Sequence, residues 1–300
     1  MMIYRDFDQA ALDAQYNLRA AVADHPAYFA RWAETSRAAR AQLRCRLDLA
    51  YGPGPSETLD LFPADLFPAA RAPAPLLVFF HGGFWQAMDK SDFSFIAPGF
   101  VADGISVALV NYALAPSVGM DEIVAQSRAA IAWLVRNARA LGIDAGRIGI
   151  SGHSAGGHLA ALALLTDWAG LGIADPVHAA CAISGIFDLE PLRLSFHNRA
   201  LALDAASVER NSPARLLGRR DSQRPAGAVI LAVGGAETDE FLRQQAEFAA
   251  LCRSVGPQCE VVSQEREHHF SIVDRFSDRL DKLHRAVVSA LSRNQQAASG

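Results

Sequence analysis

Short, largely apolar runs alternate with longer amphipathic stretches over most of the chain. The apolar runs, typical of strands buried on both faces, occur at residues 76–80, 105–110, 147–150, 179–183, 228–233 and 259–262. Between them, helical spacing of apolar residues predicts helices at residues 121–141, 155–168 and 239–255. The alternation predicts an α/β fold, in which helices cover both faces of a mostly parallel central sheet.

A last helix is predicted by an apolar stripe that continues almost to the end of the chain. Its members step by three or four residues: Phe270, Val273, Phe276, Leu280, Leu283, Val287 and Leu291. We therefore expect one long helix here, followed by a frayed tail at residues 294–300.

The N-terminal residues 1–43 form a helical segment of their own in this interpretation. Asp6 and Gln9 resemble a capping pair, and helical spacing continues from there to residue 43 in two pieces. Residues 24–26, which include a proline, separate the two pieces. Helices that precede a sheet in this way are expected to cover the mouth of a site.

Residues 44–300 are predicted to form the main domain, which begins with a hairpin. Residues 44–50 alternate between apolar and polar side chains, as in a half-buried strand, and a turn rich in glycine and proline leads to the short run 58–62. Residues 63–75 read as a connecting loop.

The regular alternation stops at residues 186–224, which are polar, rich in arginine and interrupted by prolines. We interpret this stretch as an irregular insertion that forms a lid. Its arginines are most simply explained as a solvated face, and the alternative is that one of them meets a substrate carboxylate: Arg193, Arg199, Arg210, Arg215, Arg219 and Arg220.

Composition narrows the classes of function. The net charge of −4 and the lack of a basic run argue against nucleic-acid binding. The N-terminus lacks the features of a signal peptide, and no stretch reaches the ~18 apolar residues of a membrane span. Four cysteines without a C-x-x-C pair suggest a reduced, cytoplasmic protein. We expect a small-molecule substrate and no membrane partner, with a homodimer left open.

The strongest chemical motif is Gly152-His153-Ser154-Ala155-Gly156, between a predicted strand and a predicted helix. A turn this sharp holds a serine in a strained conformation, and only small neighbours let strand and helix pass so closely. Ser154 is therefore the candidate nucleophile. His153 and the nearby His158 are expected to make local hydrogen bonds, because no metal-ligand spacing is present.

A serine nucleophile needs a base and a group that orients the base. His268 and His269 follow the last predicted strand, and we favour His269 because it stands at the entry to the last helix. The acid should follow the preceding strand, where Glu237 is favoured and Asp239 is the alternative. Either Asp239 or the threonine before it could instead cap the next helix.

The segment His81-Gly82-Gly83-Phe84-Trp85 directly follows the run at residues 76–80. Backbone N–H groups of Gly82 and Gly83, together with that of Ala155, would form an oxyanion hole, in which each donor is typically worth ~3 kcal/mol. An ordinary glycine turn is the alternative. Phe84, Trp85 and His153 are candidates for lining a substrate pocket, although either aromatic residue could belong to the core.

These motifs together resemble the α/β-hydrolase superfamily and, more narrowly, the kynurenine formamidase (arylformamidase) group of esterase-like hydrolases. The resemblance covers most of the chain and includes residues 12–17, 81–85, 152–156, 184–189, 211–213, 240–241 and Gln244. It implies hydrolysis of N-formyl-kynurenine to formate and kynurenine without a cofactor. Glu237 departs from the pattern, since it stands where this group generally has the aspartate of its triad.

Two other functions remain open from the sequence. The His-Gly-Gly and Gly-His-Ser-Ala-Gly motifs are shared with hormone-sensitive-lipase-like esterases, so a short-chain carboxylesterase is the alternative enzyme. A non-catalytic ligand-binding protein on the same fold is the other alternative. Loss of the nucleophile or base would mark such a protein, and Ser154 and His269 are both present.

Overall fold

The strands form a twisted, mostly parallel sheet. The structure, a computed structural model, describes residues 1–64, 73–219, 227–255 and 258–293. Its strands are β1 (Arg46–Ala50), β2 (Thr58–Phe62), β3 (Ala74–Phe80), β4 (Ser106–Val110), β5 (Ile143–His153), β6 (Val177–Ile183), β7 (Ala228–Gly234) and β8 (Cys259–Gln264). In this part of the chain they make one eight-stranded sheet in the order β1-β2-β4-β3-β5-β6-β7-β8. The β1–β2 and β2–β4 pairs are antiparallel, and the other neighbours are parallel. The predicted fold class is confirmed.

Helices precede the sheet and connect its strands. In chain order they are α1 (Gln9–Tyr16), α2 (Leu18–Ala21), α3 (His25–Gln42), α4 (Ala97–Ala102), α5 (Met120–Leu141), α6 (Ala155–Leu164), α7 (Glu190–Leu194), α8 (Asn198–Leu201), α9 (Ala205–Asn211), α10 (Pro213–Leu217), α11 (Asp239–Val255), α12 (Ser271–Ser277) and α13 (Lys282–Ser292). Short 3₁₀ helices occur at Lys90–Ile96 and Ala169–Leu171. None of the helices within the described ranges has the length and apolar character needed to cross a bilayer.

Helices pack against both faces of the central strand β5. A Cβ atom on Gly149 would lie 2.9 Å from Leu291 of α13, and one on Gly152 would lie 2.2 Å from the carbonyl oxygen of Gly156 in α6. Successive side chains of a strand point to opposite faces, so positions three apart face opposite ways. The two glycines therefore let α13 and α6 approach the sheet from its two sides.

The single long helix expected at the C-terminus is wrong, because the chain breaks between α12 and α13. Leu280, assigned to the apolar stripe, lies in this break and is 78% exposed. The Asp278 carboxylate accepts from the Leu280 N–H at 2.9 Å, and the Asp281 carboxylate accepts from the Leu283 N–H at 2.8 Å. Aspartates that bond to nearby backbone N–H groups favour turns and helix starts over helix interiors. The predicted tail at residues 294–300 lies outside the described residues.

At the N-terminus the predicted capping pair is also wrong. The cap of α1 is Asp8, whose carboxylate accepts from the Ala11 N–H at 2.9 Å. Gln9 instead donates to Asp13 and to the carbonyl oxygen of Leu194 at 3.0 Å each. The predicted break and second helix are confirmed in α3, which begins at His25.

The hairpin is confirmed, but the first strand is not half-buried. β1 lies at the edge of the sheet, and Leu47 is 45% exposed. No further strand pairs with its outer side among the described residues, so the alternation in its sequence does not translate into burial.

The predicted insertion is helical where the structure describes it. Residues 186–219 contain α7 to α10, so the expectation of irregular structure is wrong. The Asp204 carboxylate caps α9 by accepting from the Ser207 N–H at 2.6 Å. Short capped helices escape a search for long periodic patterns. Residues 220–224, including Arg220, lie outside the described residues.

Candidate active site

Ser154 lies in a tight turn between the end of β5 and the start of α6. Its φ is 57° and its ψ is −116°, a strained conformation for a residue with a side chain. A Cβ atom on Gly156 would lie 1.9 Å from the carbonyl oxygen of Phe80, so only glycine fits there without a shift of the backbone. The Ser154 N–H donates to the Ile183 carbonyl oxygen at 2.8 Å. The predicted strained serine turn is confirmed.

Glu237 and His269 meet through their side chains. A Glu237 carboxylate oxygen, Oε2, lies 2.6 Å from His269 Nδ1, and their side chains are 0% and 3% exposed. The other oxygen, Oε1, accepts from the Ser184 hydroxyl at 2.5 Å and from the Gly234 N–H at 2.9 Å. Because Nδ1 faces a carboxylate, it carries the imidazole proton, which leaves Nε2 as a proton acceptor.

His268 and Asp239, the alternatives to His269 and Glu237, do not take part in this contact. His268 Nδ1 accepts from the N–H groups of Phe270 and Ser271 at 3.2 and 3.3 Å, and its Nε2 lies 3.1 Å from the Tyr28 hydroxyl. His268 therefore supports the start of α12. Asp239 is the exposed first residue of α11. The structure places Glu237, rather than Asp239, against the imidazole of His269.

Two consecutive glycines bring backbone close to Ser154. A Cβ atom on Gly82 would lie 3.2 Å from Ser154 Cβ, and Gly83 has a φ of 103° that favours glycine. Across the described ranges, the N–H groups of Gly82, Gly83 and Ala155 donate to no protein acceptor. The buried His81 donates from Nδ1 to the Gly82 carbonyl oxygen at 2.8 Å. This bond orients the Gly82–Gly83 peptide and, with it, the Gly83 N–H.

The histidines beside Ser154 make hydrogen bonds to backbone carbonyl oxygens far away in the chain, so the prediction of local hydrogen bonds is wrong. His153 donates from Nε2 to the His269 carbonyl oxygen at 2.7 Å, and His158 donates from Nε2 to the Asn211 carbonyl oxygen at 2.6 Å. Burial, followed by the nearby charge of His269, holds the pKa of His153 well below its ordinary value. Burial also lowers the pKa of His158 to about 4. Both rings are neutral at pH 7, and the described part of the chain contains no cluster of side chains suited to a metal ion.

Ser154 and His269 line one cavity of about 360 Å³, which we call the Ser154 cavity. Its other lining residues are Tyr16, Asn17, Leu18, Arg19, Phe29, Trp32, Gly83, Phe84, Gln86, Ala87, Met88, His153, Phe196, His197 and Phe270. The Ser154 hydroxyl makes no hydrogen bond to a described residue, and such bonds commonly tighten only when substrate binds. The size of the cavity is within the range of small-molecule sites.

Of the predicted pocket residues, Phe84 and His153 line the cavity and Trp85 does not. Phe84 stacks on His197 with ring centroids 3.9 Å apart. Trp85 is 0% exposed and packs edge-on against His158, with centroids 4.9 Å apart. The interpretation of Trp85 as a pocket residue is wrong, because its ring turns into the core beneath α6.

The sequence did not reveal how the N-terminal segment reaches the cavity. Tyr16 is buried, and its hydroxyl donates to Glu240 Oε2 at 3.0 Å and accepts from Gln244 Nε2 at 2.9 Å. Gln244 Oε1 in turn accepts from the Phe187 N–H at 2.7 Å. Tyr16, Glu240 and Gln244 all fall in motifs noted in the sequence, but pattern alone does not indicate that they touch.

The chain is similar in sequence to several known proteins. Residues 63–220 match the BD-FAE family model. The chain is 31% identical to kynurenine formamidase of Danio rerio over 241 residues, which are 80% of each chain. It is 27% identical to isoprenylcysteine alpha-carbonyl methylesterase ICME of Arabidopsis thaliana over 268 residues, covering 82% of this chain and 62% of that protein.

Solved structures show the same architecture. A protein of Silicibacter sp. tm1040, provisionally described as a thioesterase, has a TM-score of 0.77 at 32% identity, covering 94% of this chain and 99% of its own. Esterase LipW of Mycobacterium marinum has a TM-score of 0.71 at 19% identity, covering 93% and 92% of the two chains. At 19% identity, this second similarity supports the fold alone.

Proposed function

The chain belongs to the α/β-hydrolase family that includes the kynurenine formamidases, and from this premise we propose that Ser154, His269 and Glu237 form its catalytic triad. Relatives of this kind are hydrolases, and the chain is an α/β-hydrolase enzyme. The proposal rests on one observation above all. The Glu237 carboxylate holds His269 Nδ1 at 2.6 Å in the wall of the cavity that Ser154 also lines.

In this mechanism Ser154 Oγ attacks the carbonyl carbon while His269 Nε2 takes the hydroxyl proton. The carbonyl oxygen becomes an oxyanion that accepts hydrogen bonds from the N–H groups of Gly82, Gly83 and Ala155. His269 then gives its proton to the leaving nitrogen or oxygen, which departs as amine or alcohol. Water, deprotonated by His269, attacks the acyl-enzyme, and the acid is released as Ser154 regains its proton. The sequence of steps needs no cofactor.

We infer that the preferred substrate is a small acyl amide of an aromatic amine, with N-formyl-kynurenine as the leading candidate. The names of the relatives support this substrate, and the aromatic walls of the Ser154 cavity suit an aryl leaving group. The alternative is a short-chain carboxylesterase, which the esterase relatives and structural neighbours favour.

A panel of substrates tests this choice. We expect N-formyl-kynurenine to be cleaved with a kcat/KM of at least about 10⁴ M⁻¹s⁻¹, above that of p-nitrophenyl acetate and butyrate. The release of kynurenine and p-nitrophenol is followed by absorbance. Ester turnover without formamide cleavage would reject the formamidase assignment and leave the serine mechanism in place.

We also propose that the N-terminal segment and the insertion cover the site. Tyr16 and Phe29 bring the N-terminal helices to the cavity wall, and Phe196 and His197 bring the insertion. The two parts are joined there, because His197 Nε2 lies 3.2 Å from the Tyr16 carbonyl oxygen.

Ser184 is expected to keep Glu237 in place. Its hydroxyl and the Gly234 N–H hold Oε1 of Glu237, so that Oε2 is left for His269. We expect Ser184→Ala to lower kcat about 10-fold or more, because a hydrogen bond to a charged group is lost, with little change in KM. Steady-state kinetics on the preferred substrate measure the separate effects on kcat and KM.

Ser127→Ala is the matched control, since the Ser127 hydroxyl is also buried but bonds to the Val124 carbonyl oxygen within α5. An equal fall in kcat for both variants, or a rise in KM for Ser184→Ala, would contradict a positioning role for Ser184.

A further inference from the structure

The Ser154 cavity is lined by apolar, aromatic and neutral polar residues and by one residue with a permanent charge. Among the described residues that line it, Arg19 is the only one with a charged side chain at every pH of interest, and no aspartate, glutamate or lysine lines it. The nearest acid in the proposed mechanism, Glu237, has no exposed side-chain surface and bonds to His269, Ser184 and Gly234. The described residues that line the cavity therefore carry a single permanent positive charge.

Neighbouring histidines do not add to this charge at neutral pH. Burial lowers the pKa of His197, whose Nδ1 accepts from the Gln86 amide at 3.1 Å and whose Nε2 faces the Tyr16 carbonyl oxygen. His153 is likewise kept neutral by burial. Arg19 is thus the distinctive electrostatic feature of the wall.

The guanidinium of Arg19 is free to bind a ligand. Among the residues of the described ranges it has no ion pair and no hydrogen bond, and its carbon Cζ lies over the Phe29 ring, 5.8 Å from the centroid. Arg31, by contrast, is bound to Asp274. An arginine that lies over an aromatic ring without a hydrogen-bond partner has its N–H groups available for planar anions.

The backbone that carries Arg19 is well held. The Asn17 side chain accepts from the Ala20 N–H at 3.4 Å, and the Val22 N–H donates to the Leu18 carbonyl oxygen at 3.1 Å. Leu18 is 5% exposed and anchors this short helix in the core. The backbone of Arg19 is therefore held in place, and its side chain extends over the ring of Phe29.

We propose that Arg19 binds a carboxylate on the leaving group of the substrate, so that the enzyme prefers aromatic amides or esters that carry an acid group. A single guanidinium pairs with a carboxylate through two parallel hydrogen bonds and balances its single charge, and the described lining offers no second permanent cation for a phosphate dianion. The aromatic ring of the leaving group lies between the cavity walls, and its carboxylate points to the rim. This inference rests on the proposed function of the Ser154 cavity.

Two matched pairs of small substrates test the role of Arg19. The first is 3-formamidobenzoate with 3-formamidobenzamide, and the second is 3-acetoxybenzoate with 3-acetoxybenzamide. Within each pair only the charge of the remote group differs, so the scissile bond is unchanged. We expect the wild type to favour the carboxylate in each pair that it cleaves, by about 10-fold or more in kcat/KM and mainly through KM.

Arg19→Gln should remove this preference, so that kcat/KM falls for the carboxylates by about 10-fold more than for the carboxamides, and Arg19→Lys should keep only part of it, because an ammonium cannot bind both oxygens in the same way. Arg37→Gln is the control, since Arg37 is an exposed arginine of α3 that does not line the cavity. It should behave as the wild type.

The same experiment distinguishes failure of the formamidase assignment from failure of the proposed role of Arg19. Cleavage of the esters alone, with a carboxylate preference that Arg19→Gln removes, supports the role of Arg19 and rejects the formamidase assignment. A wild type without carboxylate preference, or an Arg19→Gln protein that retains it, overturns the proposal whichever bond is cleaved. An equal loss on carboxylate and carboxamide would also overturn it, because it would mean a structural role.

Discussion

Replacing Ser154 with alanine is expected to lower kcat/KM by roughly 10⁴- to 10⁶-fold, as loss of the nucleophile does in serine hydrolases. The hydroxyl supplies the bond-forming oxygen, and no other described serine, threonine or cysteine lines the Ser154 cavity. Alanine has the same Cβ atom, so the strain at a φ of 57° is not increased and the fold should be retained. Steady-state kinetics and labelling by a fluorophosphonate measure the loss.

The control for this substitution is Ser151→Ala. Ser151 lies in the same strand and is fully buried, but its hydroxyl donates to the Val78 carbonyl oxygen at 3.1 Å. This variant should keep its activity and its label. Persistent labelling of Ser154→Ala, or an unlabelled wild type, would show that the nucleophile is elsewhere.

Glu237→Gln is expected to reduce kcat by about 10⁴-fold. A glutamine amide group can donate to His269 Nδ1, which would favour the tautomer with its proton on Nε2, where the nucleophile needs an acceptor. The amide also loses the negative charge that stabilises the imidazolium in the transition state. Kinetics on the preferred substrate, together with a thermal unfolding curve, separate this effect from misfolding.

Asp239→Asn tests the same assignment from the other side. Asp239 is exposed in the first turn of α11, so its replacement should change kcat by less than a factor of about two, as surface substitutions usually do. The reverse pattern, with Asp239→Asn inactive and Glu237→Gln active, would move the acid to Asp239.

The contact between Glu237 and His269 could be predicted because both residues follow strands that share one edge of the sheet. β7 and β8 are parallel neighbours, and the segments after them carry Glu237 and His269. Carboxyl ends of parallel strands meet at the same edge, so order along the chain becomes proximity in space. The glycines around Ser154 indicated a close strand–helix approach for an equally local reason.

Other features depend on contacts that a periodic pattern does not contain. The Tyr16–Glu240 bond joins residues 224 positions apart, and nothing in either segment identifies the other as its partner. Phe84 and Trp85 are adjacent aromatic residues, yet one lines the cavity and the other is buried in the core. Which of them faces the ligand is decided by the backbone turn, not by residue type.

The break between α12 and α13 shows a different limit. The apolar stripe continues through the break, so periodicity predicts one helix, whereas Asp278 and Asp281 compete for backbone N–H groups at a few positions. These hydrogen bonds favour a turn over a continuous helix, and Leu280 is left exposed.

The N-terminal helices and the insertion supply part of the wall of the Ser154 cavity, whereas the residues of the proposed triad lie in segments that follow strands of the sheet. Tyr16 and Phe29 come from the former, Phe196 and His197 from the latter, and neither part supplies Ser154, Glu237 or His269. Substitutions at these wall positions can therefore change substrate selectivity while the proposed triad stays unchanged. A library that randomises only these wall positions should yield enzymes with new substrate ranges at undiminished chemical competence, which makes this architecture readily evolvable.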